Sequence, residues 1–145
     1  MPYKTIISEE DLKNNIDNKD FIIFDSRCDI KDRGYGIDSY TEGHIPNSIF
    51  VDVDTDLASE KQQGTGRHPL PKVETFCDKL SHWGMDNNKQ AVIYDDAGGA
   101  FAGRMWWMLK WLGHENVAVL DGGLNSWVKN GNKLVTSPTL FEKSY

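Results

Sequence analysis

The sequence predicts an α/β domain whose parallel sheet is covered by helices on both faces. Three observations predict it. Short apolar runs alternate with amphipathic helical patterns, the rhythm that crossover-connected parallel strands produce. Runs such as Phe21-Ile22-Ile23-Phe24 and Ala91-Val92-Ile93-Tyr94 are apolar at consecutive positions, as strands buried on both faces require. The 145 residues, 39% hydrophobic and 26% charged, suffice for one core and are too few for two full domains.

Taken in order, Thr5-Ile6-Ile7 is a first short strand. Ser8 with Glu9, Glu10 and Asp11 forms a capping-box variant with acids in the first turn, opening a helix to about Ile16. The next strand ends in Asp25. Residues 27–43, polar and punctuated by Gly34 and Gly36, read as a loop. A third strand covers 48–53, and another loop covers 54–68. Pro71 pre-sets a helix on which Val73, Phe76, Cys77, Leu80 and Trp83 fall at helical spacing, with Gly84 as its stop. The strand at 91–94 runs into Asp95-Asp96-Ala97-Gly98-Gly99. A helix with Trp106, Trp107 and Trp111 follows over 101–112, stopped by Gly113, and its tryptophans are expected to pack on the sheet. Residues 117–120 form a strand, and 124–130 a short helix stopped by Gly131. The domain is assigned to 1–131, and the aperiodic tail 132–145, with Pro138, to the start of a linker or a disordered tail.

A net charge of −6 disfavours nucleic acid or an anionic membrane as a partner. Two cysteines, Cys28 and Cys77, make no disulfide framework and no CxxC pair, which suits a reducing compartment. No apolar run approaches the ~20 residues of a membrane span, and Met1-Pro2-Tyr3-Lys4 does not open like a secretory signal. A cytoplasmic protein is expected.

In parallel α/β sheets ligands bind beyond the carboxyl ends of the strands. Those ends here hold Asp25, Asp52 with Asp54, Asp95 with Asp96, and Asp121. The glycines of the 95–103 loop suit a helix N-terminus that cradles an anion, yet two acids at its mouth oppose one. A strand-to-helix turn capped by Asp95 or Asp96 is the competing reading. The run Asp52-Val53-Asp54-Thr55-Asp56 lacks the glycine and final glutamate of a calcium loop, because Leu57 and Gln63 stand there. A magnesium-dependent phosphotransfer site would need Asp25 and Asp95 as partners, and no metal or cofactor is expected. Cys77 reads as a core residue, while four residues intervene between Cys28 and Arg33, one fewer than in a phosphatase loop. His44 reads as a turn-stabilising residue, His82 and His114 as helix-end residues, and His68 as the histidine best placed for function.

These pieces together resemble the rhodanese family, and in particular the N-terminal domain of two-domain thiosulfate or mercaptopyruvate sulfurtransferases. The resemblance rests on Asp25-Ser26-Arg27, Tyr40-Thr41-Glu42-Gly43-His44-Ile45-Pro46, Phe50-Val51-Asp52-Val53-Asp54 and His68-Pro69-Leu70-Pro71. It continues through Val92-Ile93-Tyr94-Asp95, Arg104-Met105-Trp106-Trp107, Gly113-His114 and Leu120-Asp121-Gly122-Gly123-Leu124 with Trp127, in family order. It implies a three-layer fold with a central five-stranded parallel sheet. It also implies a transferase passing sulfur from thiosulfate or 3-mercaptopyruvate to a thiol or cyanide through a cysteine persulfide. Asp95 occupies the family's nucleophile position, and a carboxylate cannot form a persulfide. The chain would thus supply one wall of an interdomain site, its partners being a C-terminal catalytic domain and a small sulfur donor in the cleft. Asp54 and His68 match an interdomain proton relay, with Asp52 as fallback, and Arg27, His44, Arg104 and Asp121 match structural motif positions. A stand-alone, non-catalytic binding module is the alternative.

Overall fold

The computed structural model describes residues 3–29, 32, 34–53, 56, 73–86 and 88–136. Its elements are β1 (Ile6–Ile7), α1 (Glu9–Asn14), β2 (Phe21–Asp25), α2 (Tyr35–Glu42), β3 (Ser48–Phe50), α3 (Val73–His82), β4 (Gln90–Tyr94), α4 (Ala100–Trp111), β5 (Val117–Leu120) and α5 (Gly123–Lys129). The strands form one five-stranded sheet in the order β1-β5-β4-β2-β3, parallel throughout.

Every residue of β4 is buried, because alternate side chains feed opposite cores. Ala91 and Ile93 join Phe24, Phe76, Leu80, Met105 and Leu109 under α3 and α4. Val92 and Tyr94 join Ile7, Leu12, Leu124 and Trp127 under α1 and α5. The three expected layers follow from that alternation.

Local chemistry sets the helix ends. The Ser8 hydroxyl accepts the Asp11 amide at 3.1 Å and caps α1. That helix ends at Asn14, earlier than expected, where the Asn15 side chain turns back onto the Asp11 carbonyl at 2.8 Å. Helices α3, α4 and α5 finish alike, on Gly84, Gly113 and Gly131 at φ of 89°, 90° and 77°. In each the residue after the glycine donates five positions back: Met85 to Leu80, His114 to Leu109, Asn132 to Trp127.

The structure corrects four further expectations. The stretch read as a loop contains α2, and the glycine that disguised it answers to packing. A Cβ on Gly36 would sit 2.2 Å from the Arg27 carbonyl and 3.0 Å from the Phe50 ring. Strand β3 is three residues long, since beyond Phe50 only the Val51 amide still bonds β2, at the Asp25 carbonyl. Cys77 is exposed, and Val73 is 44% exposed, because the buried stripe of α3 runs through Phe76, Leu80 and Trp83. On α4 the sheet-facing residues are Ala102, Met105, Met108 and Leu109, which leaves Trp107 and Trp111 about half exposed and stacked at 6.0 Å. Trp106 alone of the three turns back, its indole N–H bonding the Lys4 and Val117 carbonyls.

Past α5, residues 132–135 stay on the body. Trp127 bonds the Lys133 carbonyl, and His44 and Val135 exchange backbone bonds of 2.9 and 2.8 Å. No helix among the described residues is long and apolar enough to cross a membrane.

Candidate functional site

The sheet order puts a topological switch between β2 and β4, whose last residues Asp25 and Tyr94 are paired neighbours. From there β2 leads outward to β3 and β4 leads the other way to β5, so their following loops part and leave a crevice. Asp25, Arg27 and Cys28 stand on one side, and Asp95 to Gly99 on the other.

Asp95 organises its loop. Its Oδ1 accepts the amides of Ala97 and Gly99 at 3.0 and 2.9 Å, and its Oδ2 accepts those of Phe101 and Ala102, both at 2.9 Å. Four backbone donors thus converge on one carboxylate that is 1% exposed. Two of them are the otherwise unmatched N–H groups of the first turn of α4, where the helix dipole also favours negative charge. The loop reaches this shape through Gly98 and Gly99, at φ of 71° and 94°. Its base is held separately. Leu124 donates to the Asp95 carbonyl at 2.9 Å, and Asn125 to the Asp96 carbonyl at 3.2 Å. The cradle and the capped turn, competing readings of the sequence, are here one object: a nest of N–H groups filled by the chain's own acid.

Across the crevice Asp25 and Arg27 form a buried bidentate pair, Nη2 to Oδ2 at 2.7 Å and Nε to both oxygens at 3.0 and 3.2 Å. Arg27 also donates to the Gly43 carbonyl at 2.7 Å. The Tyr94 hydroxyl donates to Asp25 at 2.8 Å, accepts the Ile45 amide at 3.2 Å and meets the Ser48 hydroxyl at 3.0 Å. Burial alone would lower the Arg27 guanidinium, but the hydrogen bond and charge of Asp25 outweigh it and hold it above its ordinary range.

Burial, and then the Asp25 charge, push the Tyr94 phenol well above its ordinary 10.0. The folded chain therefore keeps this proton longer than the unfolded chain does. The stability so contributed is full below pH 10.0 and is lost as pH rises toward the folded value. Denaturant midpoints measured from neutral pH to above 10 should fall at the alkaline end, with a shallower fall for Tyr94→Phe. Equal slopes in the two proteins would contradict this.

The remaining expected residues are placed as follows. His44 is fully buried, stacked on Tyr40 at 3.9 Å, with Nδ1 donating to the Tyr40 carbonyl at 2.9 Å. His114 likewise bonds the Lys89 carbonyl. Arg104 lies half-buried on α4, and burial lowers its guanidinium. Asp121 is exposed, and its amide continues the β1–β5 ladder to the Ile7 carbonyl. Asp52 is half-buried, its amide bonded to the Asp56 carboxylate. Asp54 and His68 lie outside the described residues. Cys28 is half-buried against the α3–α4 core. Asp25 and Asp95, the acids a magnesium site would need, are engaged by Arg27 and by backbone amides, and the described residues hold no metal-binding group of three or more His, Cys, Asp or Glu.

One contact escaped sequence reasoning. The Tyr35 hydroxyl donates to Asp96, tying the start of α2 to the β4–α4 loop across the crevice. That hydrogen bond, chiefly, raises the Tyr35 phenol. With the partners 61 positions apart, no local pattern announces it.

A family model, the rhodanese-like domain, matches residues 8–130. The chain belongs to the rhodanese family. Within it, the chain is 41% identical over 128 residues to a probable 3-mercaptopyruvate sulfurtransferase of Pseudomonas aeruginosa, covering 87% of this chain and 45% of that protein. Among solved structures, 3-mercaptopyruvate sulfurtransferase from Leishmania major superposes with a TM-score of 0.89 at 29% identity, over 98% of this chain and 39% of that one. SseA from Escherichia coli, described as a 3-mercaptopyruvate sulfurtransferase, gives 0.83 at 28% identity, over 98% and 55%. This rhodanese-family chain therefore spans about half the length of the relatives it matches, and its five-stranded sheet and flanking helices are those the resemblance implied.

Proposed function

We propose that this chain is the non-catalytic half of a sulfurtransferase of the thiosulfate or 3-mercaptopyruvate type, forming one wall of a site whose cysteine comes from a second rhodanese domain. The observation that supports this best is Asp95, a buried carboxylate with both oxygens bonded, at the turn after the central strand. In such a reaction a cysteine thiolate attacks the outer sulfur of the donor. The donor's bond to that sulfur breaks, sulfite or pyruvate enolate leaves, and the cysteine persulfide then passes its sulfur to a thiol or cyanide. A carboxylate cannot take the first step.

Two further facts favour a half over a self-sufficient module. The matched relatives are about twice as long. Trp107 and Trp111, 49% and 45% exposed, form an apolar surface such as a docked domain would cover. Asp54 and His68 keep their proposed part as a proton relay. A cytoplasmic setting belongs to this reading too, neither cysteine being in a disulfide.

Intact mass spectrometry after incubation with thiosulfate, and separately with 3-mercaptopyruvate, tests the proposal. The chain should gain no sulfur that cyanide removes. A cyanide-sensitive gain of one sulfur on Cys28 or Cys77 would refute it.

A further inference from the structure

The geometry points to Asp95 as a built-in anion that closes this half of the fold to small carboxylates and sulfur oxyanions. The β4–α4 loop is a formed anion nest, and the acid in it denies the nest to a donor. Identifying the excluded anions as sulfur donors rests on the function proposed above; the occupied nest does not.

The occupant is itself on view. A carboxylate, 1% exposed, already sits among four amides at 2.9–3.0 Å with hydrogen bonds to both oxygens. Several contacts that shape the loop do not involve that side chain. Leu124 and Asn125 of α5 bond the carbonyls of residues 95 and 96, and a Cβ on Gly123 would lie 2.7 Å from the Asp95 carbonyl, so α5 sits hard against the loop base. Tyr35 holds Asp96 from the opposite side. Gly98 and Gly99 supply the positive φ values whatever stands at position 95. Removing the side chain alone should therefore leave the donors aimed at an empty, anion-sized space, as preorganised donors do. While Asp95 is present, an incoming anion meets its charge in place of free N–H groups.

The test uses the full chain as Asp95→Gly, where acetate replaces the lost side chain almost atom for atom, and as Asp95→Ala with formate. Thermal midpoints are followed against sodium acetate, formate and thiosulfate, with chloride at matched ionic strength. Both variants should melt several degrees below the parent. The carboxylates and thiosulfate should then raise their midpoints saturably, by mass action on the folded state, and chloride should not. The parent should respond to none of them. Amide resonances of Ala97, Gly99, Phe101 and Ala102 should shift on acetate addition in Asp95→Gly. A variant that folds only with the anion supports the proposal equally. Variants unmoved by every anion, or unfolded at every concentration, overturn it. So does a parent stabilised as much as the variants. Acetate binding without thiosulfate binding defeats the exclusion of sulfur donors. The mass measurement above reports on the sulfurtransferase reading separately, so the two can fail independently.

Discussion

Replacing Arg27 by Met should destabilise the protein by about 3–5 kcal/mol, because it strands the Asp25 carboxylate without its cation. Asp25 is 0% exposed and Arg27 5%, so water cannot take over the lost partner. The Gly43 carbonyl loses its donor in the same step. The physics of a buried pair gives an internal control. Breaking it costs far more than removing both charges, so Asp25→Asn added to Arg27→Met should recover a large part of the loss. Urea unfolding followed by tryptophan fluorescence reads both proteins. A single variant within ~1 kcal/mol of the parent would show that the pair is not buried as described.

The second large effect is expected from Asp95→Asn, a change of almost no volume. The amide oxygen can still accept from Ala97 and Gly99. The amide nitrogen then faces the N–H groups of Phe101 and Ala102, donor against donor. Two unsatisfied amides and the lost charge-assisted bonds should cost about 2–4 kcal/mol, roughly 10 °C in thermal midpoint for a chain of this size. Faster hydrogen exchange at Phe101 and Ala102 than at Ala97 and Gly99 would identify the cause. Uniform exchange across the loop would point instead to general loosening.

Much of this molecule is legible in its sequence where local chemistry decides. The consecutive apolar residues of β2 and β4, the Ser8 cap and the glycine stops at positions 84, 113 and 131 all state their structure within a few residues. Failures occur where the reason lies far along the chain. Gly36 looked like a helix breaker, yet it lies within α2 and is glycine because the Arg27 carbonyl and Phe50 ring leave no room for a Cβ. Cys77 and Phe76 are adjacent and both suit an apolar stripe, and only the angle at which α3 meets the sheet buries one and exposes the other. At the site, the strand-end acids and the glycines that follow made the loop from Asp95 conspicuous. That both carboxylate oxygens would be consumed by the loop, and that Tyr35 would reach Asp96, depended on backbone directions that no spacing rule conveys.

The exchange of backbone bonds between His44 and Val135 also has a mechanical side. Tension applied along the segment after α5 is delivered to the fold at His44, through two bonds of 2.8 and 2.9 Å. The neighbouring Gly43 carbonyl is gripped by Arg27, Arg27 by Asp25, and Asp25 by Tyr94 at the end of the central strand. A pull at this margin is thus passed, link by link, to the middle of the sheet.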